Sequence, residues 1–139
     1  MSVCPYLYYN NAKAAKNWMV DALGFEAGFT VENKDGTIGH AEVRHGSSYI
    51  MLATAKPAEG RKSPMDVGAD TASVYVSVDD VDGLHDRAKA AGGNITKAPF
   101  DTDYGSRDFA MKDPEGRVWY FGSYSPHKKP PKETAEINE

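Results

Sequence analysis

The chain has 139 residues, of which 40% are hydrophobic and 26% are charged, and its formal net charge at pH 7 is −4. This size and composition are typical of one globular domain with its own core, and they exclude intrinsic disorder. The acidic balance argues against a nucleic-acid partner, and no apolar run approaches the roughly 20 residues that would cross a membrane.

The N-terminus and the cysteine count favour a cytoplasmic protein. The first ten residues, MSVCPYLYYN, have neither the basic region nor the hydrophobic region of a secretory signal. The single cysteine, Cys4, excludes an internal disulfide and a cysteine-based zinc site.

The first half of the chain predicts one strand, one helix and then three strands. Residues 3–9 are rich in aromatic side chains, which favour a strand. Asn10 or Asn11 can cap the next helix, AKAAKNWMVDAL, and Gly24 ends it. The three further strands are predicted at 26–32, 39–44 and 49–54.

The same order of elements then starts again after a segment without periodicity. Residues 54–72 contain Pro, Gly, Lys and Asp and are interpreted as a linker or loop. The second half predicts a strand at 73–78, a helix that begins after Asp79 or Asp80, and strands near 94–98, 107–113 and 118–124. The last fifteen residues, 125–139, are polar and rich in proline, and we expect a solvated tail.

The two halves superpose without gaps when one is shifted by 69 residues. The shift places Cys4 on Ser73, Gly24 on Gly93 and Met51 on Tyr120. Because few residues are identical, the repeat is one of pattern. One such unit cannot cover both faces of its own sheet, so the pattern predicts two units that pair.

Four segments carry a resemblance to a known family: LGFE, GHAEVRHGSSYIMLA, SVYVSVDDVD and YGSRDFAMKDPEGRVWYFGSY. Over roughly residues 3–124 the chain resembles the vicinal-oxygen-chelate superfamily of glyoxalase I, extradiol dioxygenases and bleomycin-resistance proteins. It is most similar to the small PhnB-like and bleomycin-resistance-like branch.

The resemblance implies an α+β fold of two βαβββ modules, with curved mixed sheets around a cavity. The modules would be residues 3–53 and 73–124 of one domain, 1–124, joined by the linker. It also implies a homodimer, because many small members of the family are dimers in which each cavity takes one module from each chain. The cavity of this protein would be formed either in that way or within one chain.

The enzymes of this superfamily hold a divalent metal with His, Gln or Glu at four places. In this chain, the resemblance puts those places at Cys4, Met51, Ser73 and Tyr120. None of these side chains is an imidazole or a carboxylate, so we expect no metal cofactor there. A displaced metal site around His40 and Glu42, with His45 nearby, is the alternative.

Strand alternation predicts which side chains face the cavity. Val74, Val76, Val78, Trp119 and Phe121 are predicted to face the helices. The predicted ligand-binding residues are Tyr6, Tyr8, His40, Glu42, Tyr49, Met51, Tyr75, Phe109, Met111 and Tyr120. Apolar walls with a few polar groups are typical of small-molecule sites, although a closed core of tyrosines would show the same pattern.

Other side chains offer weaker alternatives. Cys4 is interpreted as a small buried side chain rather than a nucleophile, and His85 as solvated. Arg107 and Asp108 either brace the loop or bind an anion. Arg61 and Lys62 would steer an anionic ligand if the linker covered the cavity.

The sequence therefore supports three functions. The first is a metal-free protein that binds a small organic molecule and sequesters an antibiotic or another aromatic or heterocyclic metabolite. The second is a metal-dependent lyase, isomerase or dioxygenase at His40 and Glu42. The third is a metal-free enzyme that uses His40 or Glu42 as a general base.

Overall fold

The computed structural model describes residues 1–128. It has an α+β architecture with two four-stranded mixed sheets. The first module holds β1 (Tyr6–Tyr9), α1 (Ala12–Leu23), β2 (Glu26–Glu32), β3 (Ile38–His45) and β4 (Ser48–Thr54). The second holds β5 (Val74–Ser77), α3 (Val81–Ala90), β6 (Asn94–Asp101), β7 (Arg107–Lys112) and β8 (Val118–Gly122). The predicted βαβββ modules are confirmed.

Both sheets have the same topology. Their strand orders are β1-β4-β3-β2 and β5-β8-β7-β6. The first strand of each module runs parallel to the fourth, and the other pairs are antiparallel. A parallel pair needs a crossover, which the remaining elements of each module supply.

Helix α1 forms where small and apolar residues recur at helical spacing. The Asn11 side chain accepts a hydrogen bond from the backbone N–H of Ala14, so Asn11 is the cap, and Gly24 ends the helix at φ 78°. Ala15, Met19 and other residues of the inner face are buried. This face packs on the first sheet.

Helix α3 begins in the same way and joins the modules into one core. The Asp80 side chain accepts from the backbone N–H of Gly83. Helices α1 and α3 contact each other, and the Trp18 ring meets the Trp119 ring edge-on at 5.5 Å. The core is therefore continuous across the two modules.

The segment interpreted as a linker contains short regular elements. A 3-10 turn spans Pro57–Glu59, and a short helix, α2, spans Pro64–Val67. Ser63, which caps α2, is fully buried. At the other end of the chain, residues 125–128 form a turn, and 129–139 of the predicted tail lie outside the described residues.

Within residues 1–128, no helix has the length and apolar character needed to cross a membrane.

The gap-free repeat hides two irregularities that cancel. In the first module Glu32 pairs with Ile38 but Val31 with His40, which leaves Gly39 as the extra residue of a bulge. The second module has no bulge at this point, because Asp101 pairs with Arg107 and Phe100 with Asp108. The extra residue of the second module lies in the next turn. In the first module, two residues separate the paired His45 and Ser48 of β3 and β4. In the second module, three residues separate Asp113 and Arg117, which close the turn between β7 and β8 by a backbone hydrogen bond.

Between these irregularities the true shift is 68, and the facing residues change. Phe109 pairs with Phe121, and Met111 pairs with Trp119; all four are fully buried on the helix-covered side. The prediction that Phe109 and Met111 face the cavity is therefore wrong. Ala110 faces the other way instead, beside Tyr120. The predicted direction of Trp119 and Phe121 is confirmed.

Candidate functional site

The face of each sheet that carries no helix is rich in partly exposed aromatic rings. On the first sheet, Tyr6 and Tyr8 stack with their centroids 5.3 Å apart and their planes at 25°. Tyr6 is 41% exposed, whereas Leu7 and Tyr9 on the opposite face are buried. Strand alternation thus produces one packed face and one accessible aromatic face.

A hydrogen-bonded row crosses this first open face. The Tyr6 hydroxyl lies 3.0 Å from His40 Nδ1, and His40 Nε2 lies 2.8 Å from the Glu42 carboxylate. Because an ionised carboxylate only accepts, Nε2 carries a proton toward Glu42, and in the neutral ring Nδ1 accepts from the Tyr6 hydroxyl. Burial raises the pKa of Tyr6, and the neighbouring Tyr8 and Glu42 raise it further, while Arg61 opposes the shift. Tyr6 therefore keeps its phenolic proton at neutral pH and can donate a hydrogen bond.

Two further side chains border this row. Arg61, from the linker, places its guanidinium 5.6 Å from the Tyr8 ring centroid. The Phe29 ring lies 6.2 Å from the His40 ring and is 64% exposed. The linker thus brings a cation to the aromatic face.

The open face of the second sheet forms a groove. Tyr75 pairs with Tyr120 across β5 and β8, and both rings are accessible. The groove has a volume of about 250 Å³ and lies between Tyr120 and Phe100, above Ala110. Gly122 lies beside it, and a Cβ there would meet the Asp108 carboxylate and the Tyr75 hydroxyl.

The predicted ligand-binding residues fall into three sets. Six share the first open face, two share the second, and the remaining pair belongs to the core. The first six are Tyr6, Tyr8, His40, Glu42, Tyr49 and Met51; the second two are Tyr75 and Tyr120; the core pair is Phe109 and Met111.

Sequence reasoning missed the groove for two reasons. β6 extends to Asp101, so Phe100 lies in a strand and not in the loop that its proline-containing context predicts. The inverted alternation of β7 also hid Ala110 and Lys112. The pairing of β7 with β8, which assigns the faces of β7, would have been needed to find them.

The four positions that the resemblance assigns to a metal do not fit one. Cys4 and Met51 belong to the first module, whereas Ser73 and Tyr120 belong to the second. Their thiol, thioether and hydroxyl groups are not the carboxylate and imidazole set that divalent ions prefer. Within residues 1–128, no three His, Cys, Asp or Glu side chains are grouped as metal ligands would be.

The contacts of Arg107 and His85 show what these two weaker candidates do in the fold. Arg107 forms ion pairs with Asp82 and Asp101 at 3.0 Å each, and these hydrogen bonds raise the pKa of its guanidinium. These contacts favour the bracing role over the anion-binding one for Arg107. The expectation for His85 is wrong: its side chain is 14% exposed and its ring meets Phe109 edge-on at 5.5 Å.

Comparison with known proteins gives a consistent result. Residues 3–121 match the family described as the Glyoxalase/Bleomycin resistance protein/Dioxygenase superfamily. An uncharacterized protein of Mycobacterium bovis is 30% identical over 124 residues, which are 87% of this chain and 82% of that protein.

Solved structures share the fold. TioX from Micromonospora sp. ML1 aligns with a TM-score of 0.68 and 27% identity, covering 88% of this chain and 97% of its own. The fosfomycin resistance protein FosX from Listeria monocytogenes aligns with a TM-score of 0.66 over 90% of this chain and 92% of its own. At 10% identity, the second likeness concerns the fold alone.

Proposed function

Because the chain belongs to the Glyoxalase/Bleomycin resistance protein/Dioxygenase superfamily, we propose that it is a metal-free protein that binds a small aromatic or heterocyclic molecule. The observation that carries the proposal is the row of aromatic side chains on each sheet face that no helix covers. Tyr6 on the first sheet, and Tyr75 and Tyr120 on the second, are 41%, 38% and 36% exposed.

The chemistry of these faces suits a planar ligand. Aromatic faces stack with planar rings, and each pair contributes about 0.5–1.5 kcal/mol beyond the burial of its area. Met51, which lies opposite Tyr6, adapts to irregular shapes. Exposed apolar patches often mark binding sites, and we assign the ligand to these aromatic faces.

Sequestration of an antibiotic or a toxic metabolite is the biological role we infer. It draws on the resistance proteins that the description of the superfamily includes. The assignment to the PhnB-like branch and the cytoplasmic location belong to the same proposal. In a homodimer, the first open face of one chain would meet the second open face of its partner and close a cavity.

A second candidate function is favoured by the Tyr6–His40–Glu42 row. Glu42 orients His40, which in turn accepts from Tyr6, so the row can move a proton between a bound ligand and the imidazole. A metal-dependent enzyme at the same place is less favoured. Both His40 ring nitrogens already have partners, and an ion would have to displace one of them.

The test compares two neighbouring residues on opposite faces of β8. A thermal-shift screen of planar organic compounds first identifies a ligand, and calorimetry then measures its affinity. Tyr120→Ala should weaken that ligand by roughly 1–3 kcal/mol, through lost stacking and apolar burial. Trp119→Ala should cost roughly 3–5 kcal/mol of folding free energy, because Trp119 is fully buried.

The affinity of the folded Trp119→Ala protein should change little. Loss of binding in a stable Trp119→Ala protein, with an unfolded Tyr120→Ala protein, would contradict the proposed faces. Turnover of a screened compound that disappears in Glu42→Gln would favour the acid–base enzyme instead.

A further inference from the structure

We propose that the groove of the second sheet binds a planar organic anion, such as an aromatic carboxylate, between the rings of Phe100 and Tyr120. This inference rests on the proposed function, because it names the ligand class for one of the two open faces. Register defines the groove: Ala110 on β7 lies between Tyr120 on β8 and Lys97 on β6. The small Ala110 side chain is the floor, and the larger neighbours are the walls.

The size of the groove limits the ligand to one or two rings. Its volume of about 250 Å³ lies just below the roughly 300–1,000 Å³ typical of sites for drug-sized molecules. Val118 and the methyl group of Ala110 add apolar surface beside the rings. A flat ring system fits this shape better than a long flexible chain.

Two ammonium groups supply the charge preference. Lys97 Nζ lies 3.8 Å from the centroid of the Phe100 ring, and Lys112 lines the same groove. Across residues 1–128, neither lysine takes part in the ion pairs with carboxylates. An anion that stacks on the rings would therefore meet two cations that form no ion pair with a described carboxylate, and no existing ion pair would have to break.

Among the described residues that line the groove, the one carboxylate already accepts hydrogen bonds from neighbouring donors. Asp108 is 3% exposed, and it accepts hydrogen bonds from the hydroxyls of Ser106 at 2.6 Å and Tyr104 at 3.2 Å. It lies four residues from Lys112 on the same face of β7, about 13 Å along the strand. The anionic group should therefore lie at the Lys112 end, away from Asp108.

The test uses the full-length protein and two probes of the same shape. Calorimetry measures the binding of 2-naphthoate, which is anionic, and of 2-naphthalenemethanol, which is neutral. We expect 2-naphthoate to bind at least tenfold more tightly, with an affinity that falls as salt concentration rises. Lys97→Met and Lys112→Met should each weaken 2-naphthoate about three- to fivefold and leave the alcohol unchanged. Lys34→Met, in the exposed turn of the first module, is the matched control.

The outcomes separate the anion site from the general proposal. Equal affinity for both probes, or 2-naphthoate binding that the double lysine variant retains, overturns the anion site and leaves aromatic binding in place. Ala110→Leu should fill the groove and abolish binding of both probes, and unchanged binding in that folded variant would locate the site elsewhere. Failure of both probes to bind the native protein contradicts this inference, whereas the proposed function is decided by the wider screen.

Discussion

The hydroxyl of Tyr9 donates a hydrogen bond of 2.6 Å to Asp113, a residue 104 positions later in the chain. Tyr9 ends β1 of the first module, and Asp113 begins the turn between β7 and β8 of the second. Both side chains are buried, and Asp113 also accepts from the indole N–H of Trp119 and the backbone N–H groups of Glu115 and Arg117. This carboxylate therefore connects the two modules, and it accepts four hydrogen bonds.

We expect Tyr9→Phe to lower the free energy of unfolding by about 1–3 kcal/mol, because a buried charged acceptor loses one donor. Urea denaturation at neutral pH measures the loss. Tyr49→Phe is a suitable control, because Tyr49 is 39% exposed on the open face of the first sheet. A stability equal to that of the native protein in Tyr9→Phe would contradict this contribution.

The same pair predicts an alkaline dependence of stability. Burial, and secondly the negative charge of Asp113, raise the pKa of Tyr9 well above its usual value of 10.0. The neutral phenol is thus favoured in the folded state, so its contribution is complete below about pH 10 and is lost as pH rises toward the folded-state pKa. Stability should fall less steeply above pH 10 in Tyr9→Phe than in the native protein. Equal slopes in denaturation at pH 9 and pH 10.5 would count against it.

Glu115 makes a second contact between the modules, at the start of α1. Its carboxylate accepts from the backbone N–H groups of Asn10 at 2.7 Å and Asn11 at 2.8 Å, and from the hydroxyl of Ser63 at 2.5 Å. Glu115→Gln should cost about 1–3 kcal/mol, because it replaces one acceptor oxygen by a donor and removes a negative charge near a helix N-terminus. Glu32→Gln, at an exposed ion pair with Lys13, should change stability by no more than about 0.5 kcal/mol. Thermal and urea unfolding of both variants provide the comparison.

Metal content tests the interpretation of the four family positions. Because Cys4, Met51, Ser73 and Tyr120 replace imidazole and carboxylate ligands, protein purified without chelator should hold well below one equivalent of zinc, nickel, manganese or iron. Addition of these ions should leave the Tm unchanged within about a degree, since a ligand that binds only the folded state would raise it. Stoichiometric metal that is lost in His40→Ala would instead establish the displaced site.

Assembly is tested by the exposed residues of the first open face. β2 is an edge strand, and its Phe29 and Val31 are 64% and 44% exposed, a surface that pairing with a second copy would cover. We expect a homodimer in sedimentation at micromolar concentration, and Phe29→Glu should shift it toward the monomer. Lys34→Glu, in the following turn, should not. A single 15.1 kDa species for the native protein would contradict the expectation.

Local pattern was sufficient for most elements of the fold. The strand at Glu26–Glu32 has the predicted limits, Asn11 and Asp80 cap the two helices, and Gly24 ends the first. Each of these features depends on interactions within a few residues, such as a side-chain oxygen that accepts from a backbone N–H three positions later. Alternation also gave the correct faces of β1, β4, β5 and β8.

Long-range contacts decided what the alternation could not. The sequence shows a repeat with a constant shift of 69, because the bulge at Gly39 and the longer turn at 114–116 compensate each other in length. Only the pairing of β7 with β8 shows that Met111 packs in the core while Ala110 and Lys112 line a groove. Likewise, Asp113 and Glu115 have the sequence context of ordinary turn residues, and only the fold places Tyr9 and the start of α1 against them.

The sequence by itself determined the elements and their order, since these depend on local interactions. Tertiary structure decided which face of β7 is open, because a shift of one residue in register moves every side chain of a strand to the opposite face. It also decided which turn carboxylates are buried, because partners that are 104 positions apart leave no local pattern in the sequence.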